Sequence, residues 1–374
     1  MDFSYSEDQQ AVRELARQIL GDRSDVERAK KIEAEPECFD RELWKDLAEA
    51  SLLGIAIPEE YGGMGFGMEE LCILFEELGR TLAALPLYPS LALGALSVSE
   101  FGSAEQRESL LPGVVTGETI LSAALSEAGS SDPCKPRVTA TPSGDGGQEL
   151  SGEKVCVPAA HLAHRVLIPA REGEDGLGLF LVDPQAPGVT LEREVATNGE
   201  PLFTLRLAGA RVAPGDRLGH PAQGRAMVEW LRDRALVVLC ATQVGLVEEA
   251  LRSTAEYTSE RKQFGKPIAT FQGVAMRAAD AFIDVEAMRA TMVQAAWRLA
   301  SGLPASKEVV AAKWWASRGG HRVVHTAQHL HGGMGADIDY PIHRYFLCWK
   351  QLDLCLGSSG RHMARLGEEL TAAP

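Results

Sequence analysis

The sequence predicts an α+β chain built in three successive parts: an N-terminal helical domain, a central antiparallel β-domain and a C-terminal four-helix bundle. Three observations predict it. Apolar residues recur at helical spacing from Ser6 onward; near residue 120 the texture changes to short β-branched runs broken by Gly, Pro and Asp; and long amphipathic segments return from residue 224. The boundaries fall at 1–118, 119–222 and 223–374, and 374 residues are enough to bury a substantial core.

Ser6 with Gln9 forms a capping box, after which Val12, Leu15, Ala16, Ile19 and Leu20 recur on one helical face until Gly21 ends the segment. The next helix starts after Asp40 and buries Leu43, Leu47, Ala50 and Leu53, and further helical signals cover 68–83, 88–99 and 103–115. The runs "RVTATP", "KVCVP", "HRVLIPA", "LGLFLVDP", "VTLERE" and "LFTLRLAGARV" then read as strands, with turns supplied by "SGDGGQELSGEK". No long helix separates them, which favours antiparallel over parallel pairing. Helices near 224–260, 271–300, 305–331 and 340–369 follow, broken at "SGLP" and "HGGMG". Within the last of them, "WKQLDLCLGSSG" reads as final helical turns entering a glycine-serine turn at Gly357, with the apolar Leu356 directly before it.

Lys and Arg number 37 against 52 Asp and Glu, a formal charge of −15, which argues against a general nucleic-acid or anionic-membrane surface and leaves room for a local basic pocket. Seven scattered cysteines without a CxxC pair read as reduced thiols and not as a zinc site. The acidic start "MDFSYSEDQQ" is not that of a signal peptide, and no apolar run reaches the roughly 18 residues that span a bilayer. A soluble, cytoplasmic protein is expected.

Several strings carry potential chemistry, each with a plainer reading beside it. In "YTSERKQFGKPIATFQG", Arg261 near a helix C-terminus could neutralise a phosphate with its donor fork; equally, it is a charged helix end before a loop. In "QHLHGGMG", Gly332 and Gly333 allow close backbone approach to a ligand, and His329 and His331 could donate from ring nitrogens; a plain helix C-cap would look the same. "PEEYGGMGFG" is neither GxGxxG nor a P-loop and reads as a cleft wall. His321 and His325 have i, i+4 spacing without the glutamate of HExxH, so a helix-surface role is the simpler one. Trp314 and Trp315 read as core or subunit packing.

Taken in order, "PEEYGGMG", "LSEAGSSD", "LSGEKVCVP", "ERKQFGKPIATFQ", "HLHGGMG" with "YPIHR", and "LCLGSSGR" resemble the acyl-CoA dehydrogenase family over nearly the whole chain. The resemblance implies the same three-part fold and FAD-dependent α,β-dehydrogenation of an acyl-CoA thioester, in which a carboxylate takes the α-proton, FAD takes the β-hydride and an electron-transfer flavoprotein reoxidises the flavin. It also implies that Arg261 and Phe264 reach the pyrophosphate and adenosine end of a neighbouring subunit's FAD. Gly332 and Gly333 would help there, with His329 in place of the family's usual glutamine.

Two departures define the expected role. Beside the flavin ring, the family's Thr-Glu-Pro-x-Ala-Gly-Ser-Asp loop is shortened to "SEAGSSD", and its Trp-Ile/Val-Thr strand becomes "CVP", with Cys156 for the aromatic and Pro158, which has no N–H, for the hydroxyl donor. Where the family places its glutamate base stands Leu356, and the family's second base location falls on Ala235, with Asp233 two positions away. The combination resembles the base-less subunit of bacterial heteromeric (α2β2) acyl-CoA dehydrogenases of steroid and sterol side-chain breakdown. No catalytic residue is then assigned to this chain, and a homologous partner subunit would carry the glutamate. The alternatives are a self-sufficient homomeric enzyme using Asp233 or Asp353, and a non-catalytic scaffold or CoA-ligand binding homologue.

Overall fold

The computed structural model describes residues 4–23, 26–130, 132–144 and 146–372; Ser131 of the "SEAGSSD" loop, Asp145 of the turn-rich stretch and the first three residues of the acidic N-terminus lie outside the described residues. In chain order the helices are α1 (Glu7–Gly21), α2 (Val26–Ala34), α3 (Arg41–Glu49), α4 (Met68–Thr81), α5 (Leu96–Phe101), α6 (Ala104–Val115), α7 (Gly224–Glu260), α8 (Gln272–Ala300), α9 (Ser306–His331), α10 (Ile342–Leu354) and α11 (Ser359–Ala372). The strands are β1 (Leu121–Ala123), β2 (Thr139–Pro142), β3 (Gln148–Pro158), β4 (Arg165–Glu172), β5 (Gly176–Val182), β6 (Val189–Val195), β7 (Pro201–Val212), β8 (Arg217–Leu218), β9 (Lys262–Gln263) and β10 (Lys266–Pro267). The helical, β and helical order is the fold class the sequence predicts. The chain forms two compact units, one of Met1–Lys30, Met68–Ala83 and Leu236–Pro374, the other of Lys31–Gly67 and Ala84–Ala235.

The first unit is helical. The capping box at α1 forms as expected: Ser6 Oγ accepts from the Gln9 amide and Gln9 Oε1 from the Ser6 amide. Val12, Ala16 and Leu20 are buried, but Leu15 is 38% exposed, so the buried stripe is a narrow i, i+4 row. Helices α4 and α7 meet at backbone contact. A Cβ on Gly245 would lie 1.8 Å from the Glu76 carbonyl oxygen, and one on Gly79 would lie 2.0 Å from that of Thr242. At this crossing the buried Glu77 receives Arg17 and Arg13 of α1 at 2.9 and 3.2 Å, while Glu76 receives Arg289 of α8. Helix α2 buries no residue and so carried no apolar stripe in the sequence. The segment expected as one helix over 340–369 is two, α10 and α11, because Leu356 and Gly357 take positive φ values of 55° and 99°.

In the second unit Asp40 caps α3, accepting from the Leu43 amide at 3.0 Å, and Leu43 and Leu47 are buried. Ser51 at φ 62° stops this helix, so Leu53 is buried from a short 3₁₀ turn instead, and Ala50 is half-buried. The stretch expected as one helix at 88–99 is a buried π-wound segment, Tyr88–Ala95, continued by α5.

The sheet runs β6-β7-β3-β2-β4-β5-β8, with β1 also against β4. Its pairings are antiparallel except β1–β4 and β2–β4, so the sheet is mixed, with the expected antiparallel pairing predominant. Val138, Leu150, Val157, Val166, Phe180 and Leu205 lie in its core cluster. Between Lys154 and Val157 the β3–β7 register shifts at a bulge, and Cys156 there adopts φ 53°. Among the described residues no helix is long and apolar enough to cross a membrane.

Candidate functional site

Helix α7 ends at Glu260, and the next residues fold into a minimal hairpin in which β9 pairs with β10 around Phe264 and Gly265. Both loop residues have positive φ, 51° and 80°, the conformation a two-residue I′ hairpin demands. Gly265 adopts it freely. Phe264 does not, and its ring is also 92% exposed, meeting Phe271 edge-on at 6.2 Å between centroids. A bulky residue held at positive φ and presented to solvent is the kind of outlier that marks a functional contact. Arg261 is exposed at the base of this arm, its carbonyl accepting from the Ile268 amide at 2.8 Å, and among the described residues no carboxylate pairs with its guanidinium.

The end of α9 adjoins this arm. The Tyr257 ring, one turn before Arg261, stacks on His331 at 4.4 Å between centroids. His331 is buried, lies near Tyr340 as well, and its Nδ1 donates to the Ala327 carbonyl at 2.8 Å, so it faces the interior rather than a ligand. His329, by contrast, is exposed. Gly332 caps the helix at φ 60°, ψ −134°, backbone territory closed to other residues. A Cβ at Gly332 or Gly333 would meet nothing within 4 Å, so both present open backbone. The sequence-predicted Arg261, Phe264, His329, Gly332 and Gly333 thus lie on two adjoining helix ends of one unit. An exposed guanidinium, an exposed aromatic ring and bare glycine backbone fit the pyrophosphate and adenosine end of FAD.

In the second unit the loop around Glu127 is fastened to β3. The Ser126 carbonyl accepts from the Val155 amide at 3.0 Å. Glu127 receives Lys154 Nζ at 2.7 Å and the amides of Arg137 and Val138 at 2.6 and 3.1 Å. Burial alone would raise the Glu127 carboxyl, but the ammonium and the two amides outweigh it and hold it below the usual carboxylate range. Sequence reasoning missed Lys154; its signal was strand parity, since it shares the inward face with Leu150. The bulge leaves Cys156 exposed, and Pro158 offers no N–H; its carbonyl already accepts from Ser122 Oγ. These side chains do not fit the hydrogen-bonding of a flavin ring.

The turn after α10 is formed but carries no ionisable group at its tip. Leu356, in the left-handed conformation, is 8% exposed. The Gly357 amide donates to the Leu354 carbonyl at 3.1 Å, and its carbonyl accepts from His362 Nε2 at 3.0 Å. The acids weighed as substitutes are engaged by cations: Asp233 by Arg232 and Asp353 by Lys350, each at 2.9 Å. Ala235 is buried. The His321 and His325 rings meet at a tilt, 4.1 Å between centroids, and among the described residues no group of three or more His, Cys, Asp or Glu could hold a metal.

His362 makes this turn pH-sensitive. Burial, with Lys313 and Arg365 nearby, pushes the imidazole down to about 3 from 6.5. Between those values the unfolded chain binds a proton that the folded chain refuses, so stability is lost as pH falls below 6.5. At about 1.4 kcal/mol per unit, the loss from pH 6.5 to 5 is about 2 kcal/mol. Urea melts at the two pH values check this, and His362→Phe is expected to remove that part of the difference.

A family model described as acyl-CoA dehydrogenase, N-terminal domain, matches residues 6–118, and one described as acyl-CoA dehydrogenase, C-terminal domain, matches residues 223–371. The acyl-CoA dehydrogenase FadE27 of Mycobacterium tuberculosis is 37% identical, with 100% of each chain covered. Among solved structures, a variant of the Tcur3481-Tcur3483 steroid ACAD is 44% identical with a TM-score of 0.91, covering 98% of each chain. The ChsE4-ChsE5 complex from Mycobacterium tuberculosis is 38% identical with a TM-score of 0.94, covering 100% of each chain. The chain belongs to the acyl-CoA dehydrogenase family.

Proposed function

We propose that this chain is the assisting subunit of a heteromeric, FAD-dependent acyl-CoA dehydrogenase, contributing cofactor contacts but no base. One observation carries the proposal: the turn that by family resemblance should present a carboxylate is fully formed, yet its tip is the buried hydrocarbon Leu356, which cannot accept a proton. Asp233 and Asp353 are each engaged by a cation, and neither is assigned as a substitute.

FAD, when bound, supplies the acceptor for the β-hydride. This chain's own residues bind and orient. Arg261 offers its donor fork to the pyrophosphate, Phe264 packs against the adenosine end, His329 donates one hydrogen bond, and the backbone at Gly332 and Gly333 approaches closely. The partner subunit provides the carboxylate for the α-proton and the flavin-ring contacts that Cys156 and Pro158 cannot make. We assign the parts as 1–118, 119–222 and 223–374, the last carrying the FAD arm. A steroid ACAD and a ChsE4-ChsE5 complex among the similar structures support an α2β2 assembly acting on a steroid-type CoA thioester, with an electron-transfer flavoprotein as acceptor.

The test is anaerobic addition of acyl-CoA to the chain alone and to the chain co-purified with its native partner. Flavin absorbance is expected to bleach only with the co-purified complex. Turnover by the isolated wild-type chain at the rate of the complex would contradict the proposal.

A further inference from the structure

The Leu356 turn is gripped from both sides by buried groups that the reaction does not use. On the α10 side is Lys313 of α9, whose side chain is fully buried. Its Nζ donates to the Leu352 carbonyl at 2.6 Å, to the Asp353 carbonyl at 3.3 Å and to Gln243 Oε1 at 3.5 Å. It does not serve as the Asp353 carboxylate's ion-pair partner, a place taken by Lys350. The ammonium instead closes the negative end of α10, where the last carbonyls lack helical partners. On the α11 side, the buried His362 donates through Nε2 to the Gly357 carbonyl, which leaves its Nδ1 buried and without a hydrogen-bond partner among the described residues.

A buried ammonium that no carboxylate of the described residues contacts and a buried imidazole with an idle nitrogen are both costly placements. Between them lies a leucine in the left-handed region, a conformation that persists only when its surroundings over-determine it. We propose that Lys313 and His362 are positioning residues that together impose the shape of the 355–358 turn and hold residue 356 at its tip. The inference deepens the assisting-subunit reading, on which it rests for the meaning of position 356. The frame for a base is maintained while the base itself is absent, and Leu356 is held as a fixed apolar surface.

Hydrogen exchange of the full chain, read on peptides covering 352–363 and on the rest of α7–α11, tests this. Lys313→Met keeps the volume and removes the charge, and His362→Phe removes the grip on Gly357. Each is expected to speed exchange at 355–358 about tenfold while the rest of the bundle keeps its protection. The thermal midpoint of Lys313→Met is expected to change little, since relief of the ammonium's desolvation cost offsets the bonds lost at the Leu352 and Asp353 carbonyls. Arg322→Leu, which breaks the Asp284 pair elsewhere on α9, serves as the control and is expected to leave 355–358 protected. Unchanged protection at 355–358 in both variants, or acceleration spread evenly over the bundle, would overturn the inference. If Lys313→Met does not fold, His362→Phe decides by the same criterion. Neither outcome alters the flavin content of the chain, so failure here is distinct from failure of the assisting-subunit reading.

Discussion

Lys154→Met is expected to destabilise the β-sheet unit by about 3–5 kcal/mol, because it leaves the Glu127 carboxylate buried without its cation. The wild-type ammonium is fully buried and, among the described residues, pairs only with Glu127, at 2.7 Å. That carboxylate also holds the amides of Arg137 and Val138, so the damage extends to the loop that begins at Ser126. The double variant Lys154→Met with Glu127→Gln should recover a large part of the loss, since a neutral amide oxygen still accepts from both backbone groups. Urea denaturation of the three proteins measures it. A single variant within about 1 kcal/mol of wild type would show that the pair contributes little.

The second large effect concerns the arm. Arg261→Ala in the assembled complex is expected to weaken FAD binding by about 3 kcal/mol, a roughly 10²-fold rise in Kd, as expected for truncating one partner of a desolvated charge pair. Phe264→Ala should cost less, in proportion to the apolar area that the ring covers when bound. Both residues are exposed in the chain itself, so neither variant should lower its stability. Flavin fluorescence titration of the apo complex separates cofactor loss from misfolding. Unchanged affinity in Arg261→Ala would remove the arm from the cofactor site.

Much of this was legible in the sequence because it rests on local rules. The Ser6–Gln9 box, the Asp40 cap and the turn at Gly357 each need only a few neighbouring residues to specify them, whereas the loop after Arg261 was legible only as a loop and not as a two-residue hairpin. Long-range pairing was not legible. The parallel β1–β4 and β2–β4 ladders arise without crossover helices, the feature from which parallel pairing is usually read. The buried cations also escaped notice. Lys313 lies in the apolar run "VVAAKWWAS" and Lys154 on the inward parity of its strand, but lysine is so seldom fully buried that composition alone argues for the surface. His331 was weighed as a ligand donor from its place beside the glycines, whereas stacking on Tyr257 turns it inward.

On the proposed function, this polypeptide helps to hold FAD for a partner and does not hold a working flavin of its own. Counting bound flavin by absorbance, on the chain purified alone and on the complex co-purified from its native cell, tests that claim most directly. The predicted result is a colourless isolated chain and a yellow complex with about one FAD for every two chains. An isolated chain that carries a full equivalent of FAD and is reduced by acyl-CoA would contradict it.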